Sequence, residues 1–343
     1  MHDTGADVTQ ADFDPARLKA WLQAEFGAAE PVHLERIGGG QSNPTYFVTY
    51  GARRLVLRKK PNGPILRGAH AIDREFRVMT ALFGTDVPVP EPVLYCEDSA
   101  VLGTPFYLMK RLEGRVFHDT SLPGLAPSER RAVYLSMAET LARLHAVVPA
   151  AVGLADYGRP GNYFQRQIER WSKQWQDSPT GDIPALDRLL DWLIQHMPDE
   201  DGQTAIAHGD FRLGNLVFHP HEPKVIGVLD WELSTLGHPL ADLGFCVMPW
   251  HSSPEEYGGI LGLDGSGLGL PDEAEFIRHY YAHARPTPAL QPFHIAFALF
   301  RFAVIFVGIA DRARLGNASG QNAQVIAPLA ARFAQRGLEA TCL

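Results

Sequence analysis

The chain reads as an α+β protein of two lobes, a small antiparallel-sheet lobe followed by a larger, mainly helical one. Three observations predict this. Its 343 residues exceed the usual size of a single core. Alternating apolar runs crowd the first 110 residues around one helical segment. Helical periodicity dominates after residue 114, broken by one hairpin. The expected divisions are a tail over 1–12, an N-terminal lobe over 13–110, a hinge at 111–114 and a C-terminal lobe over 115–343.

In the first lobe, Asp14-Pro15 opens a helix to about Phe26, with Pro just inside its start. Val32 to Ile37, Thr45 to Tyr50 and Arg54 to Arg58 read as strands. A helix follows over Ile72 to Leu82, and Val93 to Cys96 and Phe106 to Lys110 are strand-like. In the second lobe, helices are expected over 128–147, 162–177, 184–197, 272–284, 291–314 and 320–337, with a Gly-rich loop over 258–270.

Composition narrows the function classes. Apolar residues make up 45% and charged residues 20%, as in an ordinary globular enzyme. A net charge of -8 argues against general nucleic-acid binding. Three widely spaced cysteines, Cys96, Cys246 and Cys342, form no zinc or disulfide pattern and suit a reducing, cytoplasmic setting. The polar N-terminus is no signal peptide. The apolar run Ile295 to Ala310 is short and carries Arg301, so a buried helix is expected rather than a membrane span.

The most informative stretch is Ile206-Ala-His208-Gly-Asp210-Phe-Arg-Leu-Gly-Asn215, with Asp230-Trp-Glu232 fifteen residues after Asn215. The apolar runs Leu216 to Phe218 and Val225 to Leu229 predict a hairpin turning near His221 or Glu222. Its open ends carry Asn215 and Asp230, and Asp210 sits on the loop feeding the first strand. A loop acid that orients a hydroxyl, beside an Asn/Asp pair that holds Mg²⁺ on phosphates, is what phosphoryl transfer requires. Upstream, Gly38, Gly39, Gly40, Gln41, Ser42 and Asn43 form a turn between strands whose N–H groups can approach phosphates. No Walker pattern is present. From Arg53 to Arg77 there are eight cations against two acids, most of them expected to be solvated. Arg58 is the cation best placed for phosphates, and Glu75 is its expected partner.

Other residues have quieter readings. His208 is expected to fix its loop through backbone carbonyls, and His145 to be a satisfied core histidine. Asp242 could be a third metal acid but is better read as opening a helix or accepting backbone N–H bonds from the Asp210 loop. Trp171 and Trp175 share a helix face and are core residues or an acceptor-pocket wall.

The motif His208-Gly-Asp210-x4-Asn215 with Leu229-Asp230-Trp-Glu resembles the aminoglycoside phosphotransferase and choline kinase-like superfamily, over about Ile37 to Phe245. The resemblance implies a bilobal protein kinase-like fold and an ATP- and Mg²⁺-dependent enzyme that phosphorylates a small-molecule hydroxyl. It implies Asp210 as catalytic base, Asn215 and Asp230 as Mg²⁺ ligands, residues 38–43 as a phosphate-covering loop and an Arg58–Glu75 ion pair. Adenine would lie on the hinge from Met109 through Arg111 to Glu113. His-Gly-Asp and Asp-Trp-Glu replace the protein-kinase His-Arg-Asp and Asp-Phe-Gly, and no Ala-Pro-Glu segment follows, so a loop-regulated protein kinase is not expected. The strand cation is Arg in place of Lys.

Residues Ile37 to Phe47, Val56 to Pro61 and His70 to Phe76 are also similar to the kinase-like module fused ahead of some acyl-CoA dehydrogenases. That likeness implies a hydroxyacyl-CoA acceptor. No flavin-binding segment is evident, so dehydrogenase activity is not expected. The alternatives are an aminoglycoside or amino-alcohol kinase and a silent nucleotide-binding pseudokinase. Residues 240–343 hold nine acids against seven arginines, which weakly disfavours a polycationic acceptor. No nucleic-acid or membrane partner is expected.

Overall fold

A computed structural model describes residues 11–38, 43–63, 71–159, 161–314 and 323–342. It divides into two compact units. The first runs to Gly114 and takes back residues 226–232; the second comprises 115–225 and 233 onward.

The first unit holds α1 (Pro15–Phe26), β1 (Val32–Arg36), β2 (Thr45–Tyr50), β3 (Arg53–Lys59), α2 (Ile72–Leu82), β4 (Pro92–Cys96), α3 (Ser99–Leu102) and β5 (Phe106–Lys110). Asp14 caps α1 by accepting the Ala16 N–H at 2.9 Å, and Pro15 occupies the first turn. The strands form one antiparallel sheet in the order β1-β2-β3-β5-β4. Period-two alternation buries Tyr46, Val48 and Tyr50 of β2, with Leu55 and Leu57 of β3, in a core shared with Leu18 and Leu22 of α1. Arg58 points to the other face, where its register partner is Tyr107 of β5. Lys59 departs from the solvated basic edge expected of these cations. It has no exposed surface, and its ammonium pairs with Asp12 at 2.8 Å and donates to Asn62 Oδ1 at 3.0 Å.

The second unit holds α4 (Pro127–Ala146), α5 (Tyr163–Gln176), α6 (Pro184–Gln195), β6 (Ala205–Ala207), β7 (Leu216–Phe218), β8 (Val225–Val228, completed in the first unit), β9 (Thr235–Gly237), α7 (Pro239–Cys246), α8 (Gly265–Leu268), α9 (Glu273–His283), α10 (Pro292–Arg314) and α11 (Ala323–Ala340). β7 and β8 form the expected two-stranded hairpin, closed by the His219 N–H on the Lys224 carbonyl at 2.8 Å. The β6–β9 ladder was not read from the sequence, and a helix at Asp242 was read only as one of two alternatives. Three-residue strands carry too little alternation to register. α10 is long and apolar enough to cross a membrane by composition alone, but 78% of its most apolar stretch is buried. It packs against α5, α6, α7 and α11. The expected loop over 258–270 contains the single turn α8. Cys96, Cys246 and Cys342 are all free.

Candidate active site

In the first unit, the candidate phosphate-gripping residues converge on one guanidinium. Arg58 Nε lies 2.9 Å from Glu75 Oε2, and its Nη2 lies 2.6 Å from Asp230 Oδ1 and 3.7 Å from Glu232. The pairing with Glu75 is the one expected; the contact with Asp230 was not. A forked guanidinium can hold carboxylates on two sides, which a lysine ammonium does less readily. Nη1 makes none of these contacts. Glu75, from the first turn of α2, is buried and also accepts bonds from Asn43 Nδ2 at 2.8 Å and the Tyr107 hydroxyl at 3.0 Å. Burial pushes the Glu75 carboxyl up to about 7, against the lowering pull of Arg58 and with the repulsion of Asp230 and Glu232. Burial alone would weaken the Arg58 cation, but the carboxylates around it raise its pKa.

Asn43 is thus placed on Glu75, and Gly38 lies just past β1. The expected phosphate-loop residues Gly39, Gly40, Gln41 and Ser42 lie outside the described residues. Met109 is buried in β5 opposite Val56. The Arg111 guanidinium lies over the Phe47 ring at 3.8 Å and pairs with Glu113 at 3.3 Å, while its N–H donates to the Arg54 carbonyl at 3.0 Å. Asp230 has φ 64°, a left-handed conformation that costs a non-glycine residue about 1 kcal/mol and tends to persist at functional sites.

In the second unit, the Asp210 loop leaves β6 and is held from several sides. Buried Asp242, in the first turn of α7, accepts the His208 N–H at 2.6 Å and the Gly209 N–H at 2.9 Å. The His145 ring lies 3.3 Å from the same carboxylate and 2.8 Å from the Tyr280 hydroxyl. Burial alone would raise the Asp242 carboxyl; the His145 and His208 rings and the loop N–H overcome it and hold it below the ordinary value. Asp242 therefore pins the loop, and His145 is a satisfied core residue. The His208 ring fixes its loop as expected, its Nδ1 accepting the Asp210 N–H at 3.2 Å.

Gly209 has φ +84°, and a Cβ there would sit 2.9 Å from the Leu233 carbonyl oxygen. Arg301 of α10, buried, donates Nη2 to the Gly209 carbonyl. Sequence reasoning used Arg301 only against a membrane span. Its signal was the lone cation in an apolar run, since a buried guanidinium must find acceptors. Asn215 donates its amide to the Asp210 carbonyl and to Asp210 Oδ2, both at 2.8 Å. That turns its carbonyl oxygen to other partners. Arg212 Nε lies 3.2 Å from the same Asp210 oxygen.

Each unit offers groups suited to a hard divalent cation: in the first, three carboxylates face one arginine, an excess a dication would balance, and in the second, Asn215 has an amide oxygen beside the two bonds its amide nitrogen makes.

A cavity of about 330 Å³ opens on Phe211 to Gly214, directly after Asp210. Met137, Phe245, Met248, Phe302 and Phe333 give it an apolar wall, and among the described residues no carboxylate lines it. A larger cavity of about 610 Å³ touches no residue of the Asp210 loop. Neither is lined by Trp171 or Trp175. Those rings are buried and donate to Gln167 and Asp187, so they are core.

Fold and site together define a small-molecule kinase of the protein kinase-like fold. Residues 33–277 match the model of the phosphotransferase enzyme family, and the chain belongs to that family. It is 41% identical to human acyl-CoA dehydrogenase family member 11 over 98% of this chain and 44% of that protein. It is 44% identical to mouse acyl-CoA dehydrogenase family member 10 over 90% of this chain and 29% of that protein. The chain thus spans less than half the length of these relatives. A solved structure from Ralstonia eutropha JMP134, provisionally called an aminoglycoside phosphotransferase, matches with TM-score 0.87 and 47% identity over 96% of this chain and 98% of that one.

Proposed function

We propose that the chain is an ATP- and Mg²⁺-dependent kinase of a hydroxyacyl-CoA. The observation that carries this reading is the cavity beside Asp210, apolar-walled, free of carboxylates among the described residues and bordered by Arg212 and His118. A polycationic aminoglycoside needs acids to replace its water, and this wall offers none. An acyl chain fits apolar walls, and an anionic thioester tolerates the nearby cations. The acyl-CoA names of the relatives point the same way.

In this reading Asp210 accepts the proton of the acceptor hydroxyl as it attacks the terminal phosphorus of ATP. Asn215 holds the Asp210 carboxylate in position through its amide. Arg58, steadied by Glu75, neutralises charge on the phosphates together with the 38–43 turn, and Met109 to Glu113 offer backbone groups to the adenine. Asn215 and Asp230 would hold Mg²⁺, which, when bound, screens the phosphate charge.

The test is turnover of ATP by the full chain with hydroxyacyl-CoAs, aminoglycosides and amino alcohols, reading ADP and phosphorylated product by mass. Hydroxyacyl-CoA is expected to exceed aminoglycosides in kcat/KM by about 10² or more. Preference for an aminoglycoside would overturn the acceptor. Nucleotide binding without turnover on any acceptor would leave a silent pseudokinase.

A further inference from the structure

α9 carries His279 and His283 one helical turn apart, so both rings lie on one face. That helix packs on α4, whose Glu139 reaches the same place. One ligand atom from each of Glu139, His279 and His283 lies within 4.8 Å of the other two. Two imidazoles and a carboxylate are a ligand set that tetrahedral Zn²⁺ accepts, with water as fourth ligand. Zn–N bonds of about 2.0–2.1 Å require the three atoms to draw closer, and these partly exposed side chains can do so by rotamer changes.

His283 Nδ1 sits 2.9 Å from the His279 carbonyl, so it carries the proton and leaves Nε2 to ligate. Burial and the neighbouring His283 lower the pKa of His279, which favours the neutral, metal-binding ring. The charged groups around the site are Arg143, which holds Glu139 Oε1 at 2.5 Å, and the Arg131–Glu275 pair joining α4 to α9. Arg143 holds Oε1 of Glu139, so a metal would use Oε2. Mg²⁺, which prefers an all-oxygen shell, is a poor match to two imidazoles.

We infer that Glu139, His279 and His283 form a Zn²⁺-class site that straps α4 to α9, independent of the phosphotransfer site. The strap lies on the helix pair that carries His145 and Tyr280. Those two residues are bonded to each other, and His145 to the loop anchor Asp242.

The experiment is titration of the metal-free full chain with Zn²⁺ and with Mg²⁺ by calorimetry and thermal unfolding, without nucleotide. Co²⁺ substitution reports coordination through its visible bands. The wild type is expected to bind one Zn²⁺ at this site, to unfold at higher temperature with Zn²⁺ but not with Mg²⁺, and to show four-coordinate Co²⁺ bands. His279→Ala/His283→Ala, at partly exposed positions, is expected to unfold as wild type without metal. It should lose the Zn²⁺ shift and the bands, with affinity reduced at least tenfold, roughly the loss an outer-shell partner alone can cause. Equal Zn²⁺ binding by wild type and double variant would overturn the site. So would full affinity in Glu139→Gln, or no Zn²⁺ binding by the wild type.

Discussion

Arg58 engages Glu75, Asp230 and Glu232 with a single guanidinium, and its side chain is only 15% exposed. Arg58→Ala would leave Glu75 buried without its cation, a loss of about 3 kcal/mol at neutral to alkaline pH, read by chemical denaturation. The loss should shrink in acid, where Glu75 takes up a proton. The Glu75 carboxyl titrates near 7 in the fold, above its ordinary value of 4.5. The folded state therefore holds that proton more tightly. The resulting stabilisation is complete below the ordinary carboxylate range and disappears as pH rises through about 7. Glu75→Gln should flatten stability against pH in this window; an unchanged slope would assign the dependence elsewhere. The Arg58–Glu75 pairing was legible in the sequence, because a strand cation and a helix acid nearby in the chain suggest partners. The contact with Asp230 was not, because 172 residues separate the two.

At the scale of elements, the Asp210 loop is shaped by two helices. α7 supplies Asp242 to the His208 and Gly209 N–H groups, and α10 supplies Arg301 to the Gly209 carbonyl. Asp242→Ala strands two buried donors, at about 1–3 kcal/mol each, and should lower the midpoint of thermal unfolding. The folded-state pKa of Asp242 is depressed, so its contribution is present above the ordinary carboxylate range and is lost as pH falls through the lowered value. Acid unfolding should begin at higher pH in His145→Phe, which removes one source of that depression. Gly209→Ala forces a Cβ against the Leu233 carbonyl at positive φ and should cost more than about 1 kcal/mol. The loop acids and amide could be read from D-x4-N spacing and hairpin chemistry, and Asp242 could be read as accepting the loop's N–H bonds. Arg301 could not, since a hydrogen bond from α10 depends on packing that periodicity does not encode. The short strands β6 and β9 were missed for the same reason: three residues carry little pattern.

For the whole molecule, family membership fixes the class of reaction, and the residues around Asp210 decide the acceptor. Overall charge is a poor guide to the acceptor. The C-terminal hundred residues are slightly acidic, while the cavity beside Asp210 has no carboxylate among its described lining residues. Met248→Glu would place a carboxylate in that wall. It should raise KM for an anionic acceptor about tenfold with smaller change in KM for ATP, as determined from initial rates.

The most direct measurement follows from the proposed role of Asp210 as base. Wild-type and Asp210→Ala chains, matched in unfolding temperature, are compared for phosphorylated hydroxyacyl-CoA formed per mole of enzyme with ATP and Mg²⁺. The account predicts a rate lower by about 10²–10⁴ in the variant, with ATP binding retained. Equal rates in the two chains would contradict it.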